Sequence, residues 1–155
     1  MTASQLYVPP DVDEAYELWG ANCGPGALAA IAGRPLSAVR ALFPHYPRTA
    51  YANPTHLKAA LTAAGLSWGL TGTRMPSRGL AFLQIGGPWC APGVPIGAAY
   101  RKTHWVAVDR GLVYDANAPE WLTPADWEAD IMARILAQYP QADGWSVRTG
   151  IEVPA

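Results

Sequence analysis

Charge is scarce in this chain of 155 residues: Asp, Glu, Lys and Arg make up 15% of it, and their signs nearly cancel to a net −1. Half of the residues are apolar, which excludes a disordered chain, since such chains lack the hydrophobic content that offsets conformational entropy. The basic residues are scattered singly, so the electrostatic footprint of a nucleic-acid binder is missing. Cysteine is scarcer still. Cys23 and Cys90 are too few for a disulfide scaffold and point to a reducing compartment. No run approaches about 18 uninterrupted apolar residues, the length a membrane-spanning helix needs. The opening stretch MTASQLYVPPDVDEAYELW has prolines and acids where an export signal carries basic residues and then an apolar run. Internal repeats, linkers and low-complexity tracts are lacking too. What remains is one domain spanning 1–155, expected in the cytoplasm and without a nucleic-acid or membrane partner.

Residues 1–16 read as an N-terminal arm, interrupted by Pro9 and Pro10. The segment from Cys23 to Ala32 is rich in Ala, Leu and Ile and stops at Gly33, with Pro25 in the first turn, where proline is tolerated. PLSAVRALFP (35–44) predicts a short second helix. NPTHLKAALTAAG (53–65) predicts a third, capped by Asn53 or Thr55 and ended by Gly65. Beyond Gly65 the period changes. GLAFLQI (79–85) predicts a strand, and THWVAV and GLVYDAN flank Asp109, Arg110 and Gly111 as a hairpin. TPADWEADIMARILAQY (123–139) predicts a fourth helix with a Thr cap, and GWSVRTGIEV (144–153) a last strand. Helices first and an antiparallel sheet afterwards make an α+β domain.

Chemistry concentrates at Cys23. A thiol at a helix N-terminus is favoured as thiolate, because the unpaired N–H groups and the helix dipole are positive there. A cysteine nucleophile also needs a base, and a group that orients the base. Of the three histidines, His45 lies between prolines and His56 in the first turn of a helix, both ordinary places. His104 begins an otherwise apolar strand, where a titratable ring is costly unless partnered. A hairpin closing symmetrically about Arg110 pairs His104 roughly with residue 116, bringing Asp115 or Asn117 within reach. Asp115 is favoured because a carboxylate supports an imidazolium better than an amide does. Cys90, in PWCAPG, lacks such partners and reads as structural. Trp105 is expected to point to the sheet face opposite His104. Trp19, Trp68, Trp121, Trp127 and Trp145 read as core or groove rim, and Trp89 as a candidate cleft wall.

NCGPGALAAIAG followed by THWVAVDRGLVYDANAP resembles the papain-like cysteine peptidase superfamily, most of all its bacteriocin-processing, double-glycine peptidase-like branch. The likeness runs from about residue 17 to residue 120 in motif order and spacing. It implies a central helix starting at Cys23 and packed on the sheet, with Cys23 as nucleophile, His104 as general base and acid, and Asp115 as the orienting residue. Asn117 is the alternative for that last role, which papain gives to an asparagine. Enzymes of this kind carry a glutamine about six residues before the cysteine, whose amide helps to hold the oxyanion; here that position is Glu17. A carboxylate there repels an oxyanion. Glu17 therefore serves only as a protonated acid, or Asn22 supplies the amide, or the oxyanion hole is degraded. The function implied is a thiol hydrolase that cleaves a peptide or isopeptide bond in a protein or peptide substrate, without metal or organic cofactor. Acyl transfer or deamidation of transglutaminase type, and an inactive domain that keeps its cleft for binding, are the alternatives.

Overall fold

The computed structural model describes residues 6–155; residues 1–5 of the expected arm lie outside that range. Among the described residues no helix is long and apolar enough to cross a membrane. The fold is α+β. Helices α1 (Val12–Trp19), α2 (Cys23–Ala32), α3 (Leu36–Val39) and α4 (Pro54–Ala63) precede strands β1 (Gly69–Gly72) and β2 (Gly79–Gly86). Helix α5 (Ile96–Tyr100) then leads into the hairpin of β3 (Thr103–Asp109) and β4 (Leu112–Tyr114). A C-terminal helix, made of α6 (Pro124–Trp127), a π turn (Glu128–Met132) and α7 (Ala133–Ala137), is followed by β5 (Gly144–Glu152). The five strands form one antiparallel sheet in the order β1–β5–β2–β3–β4.

Three helix starts follow from local chemistry. Asn53 caps α4 in a full capping box: its side chain accepts from His56 N–H while His56 Nδ1 accepts from Asn53 N–H. Thr123 caps α6 by accepting from Asp126 N–H. The carboxylate of Asp11 accepts from the Leu36 and Ser37 N–H groups at the start of α3, at 2.8 and 2.9 Å. Part of the expected arm is ordered as helix: residues 12–19 form α1, which buries Ala15 and Trp19 and leaves Tyr16, Glu17 and Leu18 in solvent.

The sheet is covered on both faces. Leu80, Phe82, Trp105, Ala107, Tyr114 and Ile151 pack with α1, α2 and α4, whereas Ala81, Leu83, Ile85, Val106, Val108 and Val113 pack with Trp127, Ile131 and Met132 of the C-terminal helix. This is the strand period of two, and β2 lacks visible polar alternation because both of its faces are buried. Helix α2 is buried from Gly24 to Ile31. It lies close to β3 because its first turn is small: a Cβ on Gly24 meets Ala52 Cβ at 3.0 Å and Trp105 Cδ1 at 3.4 Å, and one on Gly26 meets Ala116 Cβ at 3.0 Å.

The hairpin is tighter than a loop centred on Arg110. Asp109 pairs with Leu112 and Ala107 with Tyr114, leaving Arg110 and Gly111 as a two-residue turn with φ of 53° and 76°. Both values are left-handed, as a type I′ turn requires. This register places Asp115 on the same sheet face as Val113, Val106 and His104. The turn yields a stability prediction. Gly111→Ala costs about 1 kcal/mol because φ there is positive, and Arg110→Asn stabilises by a smaller amount because asparagine tolerates that region. Urea unfolding midpoints of the two variants should move in opposite directions.

Candidate active site

The site forms where β4 stops. Its three residues end at Tyr114, so the edge of β3 from Thr103 to Val106 has no strand partner on that side. The N-terminus of α2 fills the gap. Asn22 is its N-cap residue and Cys23 its first helical residue. The backbone N–H of Trp105, on the β3 edge that β4 leaves uncovered, is close enough to the Cys23 thiol to favour its thiolate form.

His104 lies between Asp115 and Cys23. Its Nε2 is 2.6 Å from Asp115 Oδ2, and the Cys23 thiol lies near enough to the ring for each to shift the other's pKa, with Nδ1 the ring nitrogen left to face it. Asp115 is fully buried, and its carboxylate is saturated. Oδ1 accepts from the Asn117 backbone N–H at 3.0 Å and from Asn117 Nδ2 at 3.1 Å, and Oδ2 also accepts from Trp127 Nε1–H at 3.0 Å. His104 is 7% exposed and Cys23 half-buried.

The charges follow from these contacts. Burial pushes the Cys23 thiol up, but the hydrogen bond and charge of His104 and the Trp105 N–H outweigh it, holding the thiol below its ordinary value. Burial pushes His104 down, and the bonds and charges of Asp115 and Cys23 more than reverse this, raising the ring to about 10. Burial raises Asp115, yet the bond and charge of His104, with the Asn117 and Trp127 donors, hold it below the usual carboxylate range. A thiolate–imidazolium pair backed by a carboxylate is the state these shifts favour.

The remaining expected residues divide. Asn117 does not touch His104 through its own amide; it supports Asp115. Asn22 does not cap α2 with its side chain; its Nδ2 donates to Ala50 O and its Oδ1 accepts from Tyr46 O–H, both at 2.8 Å. Glu17 lies exposed on α1 with no hydrogen bond to the cysteine or its partners, so the protonated-acid role expected for it has no geometric basis. Trp89 is half-buried; it donates to Ile85 O and packs edge-on against Tyr139. Trp105 points away from the His104 face and donates to Ala52 O, as the alternation requires. Cys90 is exposed in a 3₁₀ turn and not part of the core, a correction to its structural reading: the proline- and glycine-rich loop that carries it runs over the surface. Trp68 is likewise exposed, against Lys58.

Sequence spacing missed Trp127 as a partner of Asp115. The Thr123 cap announces the helix that carries it, but nothing local says that this helix crosses the His104 face of the sheet. The same helix walls a cleft of about 400 Å³ beside His104, whose lining includes Thr103, Asn117, Ile131, Arg134 and Tyr139. Comparison of the chain with protein-family models, with curated proteins and with solved structures finds no match.

Two outcomes test this geometry. The alkylation rate of Cys23 should rise with pH through an inflection below the ordinary thiol value, because the lowered pKa makes thiolate available earlier. In His104→Ala the inflection should rise to about 8.5 or above, because the raising effect of burial remains. Trp127→Phe should cost about 1.5–3 kcal/mol in urea unfolding, the worth of a hydrogen bond to a charged group, and most of that loss should vanish in an Asp115→Asn background. Simple additivity in that double-mutant cycle would show that the indole and the carboxylate are not coupled.

Proposed function

We propose that the protein is a papain-like thiol hydrolase that cleaves an amide bond in a peptide substrate. The observation that carries this reading is the His104 ring held between a buried, fully hydrogen-bonded carboxylate and a thiol at the head of a helix. A cysteine that only filled a core has no use for such a partner.

In this reading the Cys23 thiolate attacks the carbonyl carbon, and its sulfur–carbon bond forms as the carbonyl electron pair moves to oxygen. That oxyanion is, in this reading, held by the backbone N–H of Cys23, with the Asn22 Nδ2 hydrogen that Ala50 does not take as a second donor. Both lie at the positive end of α2, where developing negative charge is stabilised. Collapse of the intermediate breaks the carbon–nitrogen bond, and the departing nitrogen takes the proton from His104. Water then attacks the thioester, with His104 accepting its proton, and the acid and the thiol are released. Asp115 keeps the ring's Nδ1 edge towards the sulfur and stabilises the imidazolium without being protonated itself. Trp127 and Asn117 act on Asp115 and are positioning residues.

Iodoacetamide at about pH 6.5, where an ordinary thiol is almost wholly protonated, tests the reading. Cys23 should be alkylated at least about tenfold faster than the exposed Cys90, and His104→Ala should remove that advantage. Against a peptide library, Cys23→Ala should abolish cleavage, His104→Ala should lower it by about 10²–10⁴-fold, and Asp115→Asn should lower it less than His104→Ala. Equal reactivity of the two cysteines would overturn the proposal.

A further inference from the structure

We propose that the cleft beside His104 binds a leaving group that ends in a carboxylate, and that Arg134 anchors it. This rests on the hydrolase reading above and names its substrate class. The nitrogen that takes the proton must lie against the His104 ring, so the departing half of the substrate occupies the space next to that ring. In this proposal that space is the cleft of about 400 Å³ between β3 and the C-terminal helix, which His104 lines. The volume suits one or two residues, not an extended chain.

Its walls carry one sign of charge. Arg134 and His104 line it together with Gln138 and Tyr139, and no Asp or Glu does. The exposed Arg134 donates its Nε–H to Asp130 O in its own helix and keeps both terminal amino groups uncommitted. Among the described residues Arg134 meets no carboxylate. A second cation lies beside the lining residue Tyr139: Lys102 Nζ is 5.4 Å from the centre of that ring and 5.6 Å from that of Trp89, also without a salt bridge. A planar guanidinium with two free amino groups is the natural bidentate partner of a carboxylate.

Ile85, Ile131 and Ile135 add apolar surface among these polar groups. An uncommitted guanidinium beside three isoleucines fits an amino acid with an aliphatic side chain and a free α-carboxylate. The substrates are therefore amides of such amino acids, or peptides whose scissile bond stands next to an aliphatic C-terminal residue. Cleavage forms the thioester on Cys23 and breaks the carbon–nitrogen bond. The amino acid leaves with its nitrogen protonated by His104 and its carboxylate on Arg134.

Free leucine and leucinamide, which differ in the carboxylate, serve as probes. Each is titrated against iodoacetamide alkylation of Cys23 in the full chain. Leucine should protect Cys23 at about tenfold lower concentration than leucinamide does. Arg134→Gln should erase that ratio, and Arg134→Lys should keep part of it. Equal protection by both compounds, protection by neither, or a preference that survives Arg134→Gln overturns the inference while fast Cys23 alkylation still supports the hydrolase reading. Cys23 alkylated no faster than Cys90 overturns the hydrolase reading, and the inference falls with it.

Discussion

The early end of β4 is the constraint on which the rest of the arrangement depends. Had the strand continued past Tyr114, it would have paired with the β3 edge down to His104 and closed it. Because it ends after three residues, the Trp105 N–H is left for the Cys23 sulfur and α2 can abut the edge with its first turn. The chain that leaves β4 then bends within Asp115–Asn117, so that Asn117 folds back on the Asp115 carboxylate. One truncated strand thus opens the gap, admits the helix and forms the carboxylate's cage.

Two layers of packing hold the parts from opposite sides. Helix α2 delivers Cys23 from one face of the sheet, while His104 and Asp115 belong to the other, where the C-terminal helix contributes Trp127. The groups meet at the sheet edge, the one place where both faces are within reach. Small residues let the first turn of α2 come in closely, since a side chain on Gly24 or Gly26 would press on Ala52 or Ala116. The π turn at Glu128–Met132 interrupts the C-terminal helix between Trp127, which serves the carboxylate, and Arg134, which faces the cleft. Such turns re-aim side chains that a regular helix would stack.

Much of this was legible in the sequence, for reasons specific to each segment. The α4 cap lies in Asn53 and the α6 cap in Thr123, both local hydrogen-bonding chemistry. Cys23 ahead of Gly24, Pro25 and Gly26 marks the start of α2, and an isolated histidine opening HWVAV asks for a partner. The hairpin was legible as an element but not in register: a loop centred on Arg110 sets His104 opposite residue 116, whereas the two-residue turn shifts the pairing by one. Asp115 is reached all the same, because its side chain extends from the residue after the strand. Helix α1 was hidden by Pro9, Pro10 and a run of acids. Strand β1, exposed and bounded by glycines, carries no apolar period. The partners of Asp115 from the C-terminal helix depend on which sheet face that helix crosses, a tertiary choice with no local signal. The Glu17 expectation came from family spacing alone, and the structure leaves that residue in solvent.

The saturation of Asp115 also bears on time. Its two oxygens hold four donors from three residues, and a carboxylate has about four places to accept them. The His104 ring therefore cannot turn over by half a revolution without leaving Oδ2 short of a partner in a dry interior. Exposed side chains change rotamer in picoseconds to nanoseconds, but a ring locked in this way turns only when its surroundings open locally, on microseconds or longer. On the timescale of a proton transfer, the imidazole is an immobile part of the sheet, with one nitrogen always inward and the other always facing the sulfur.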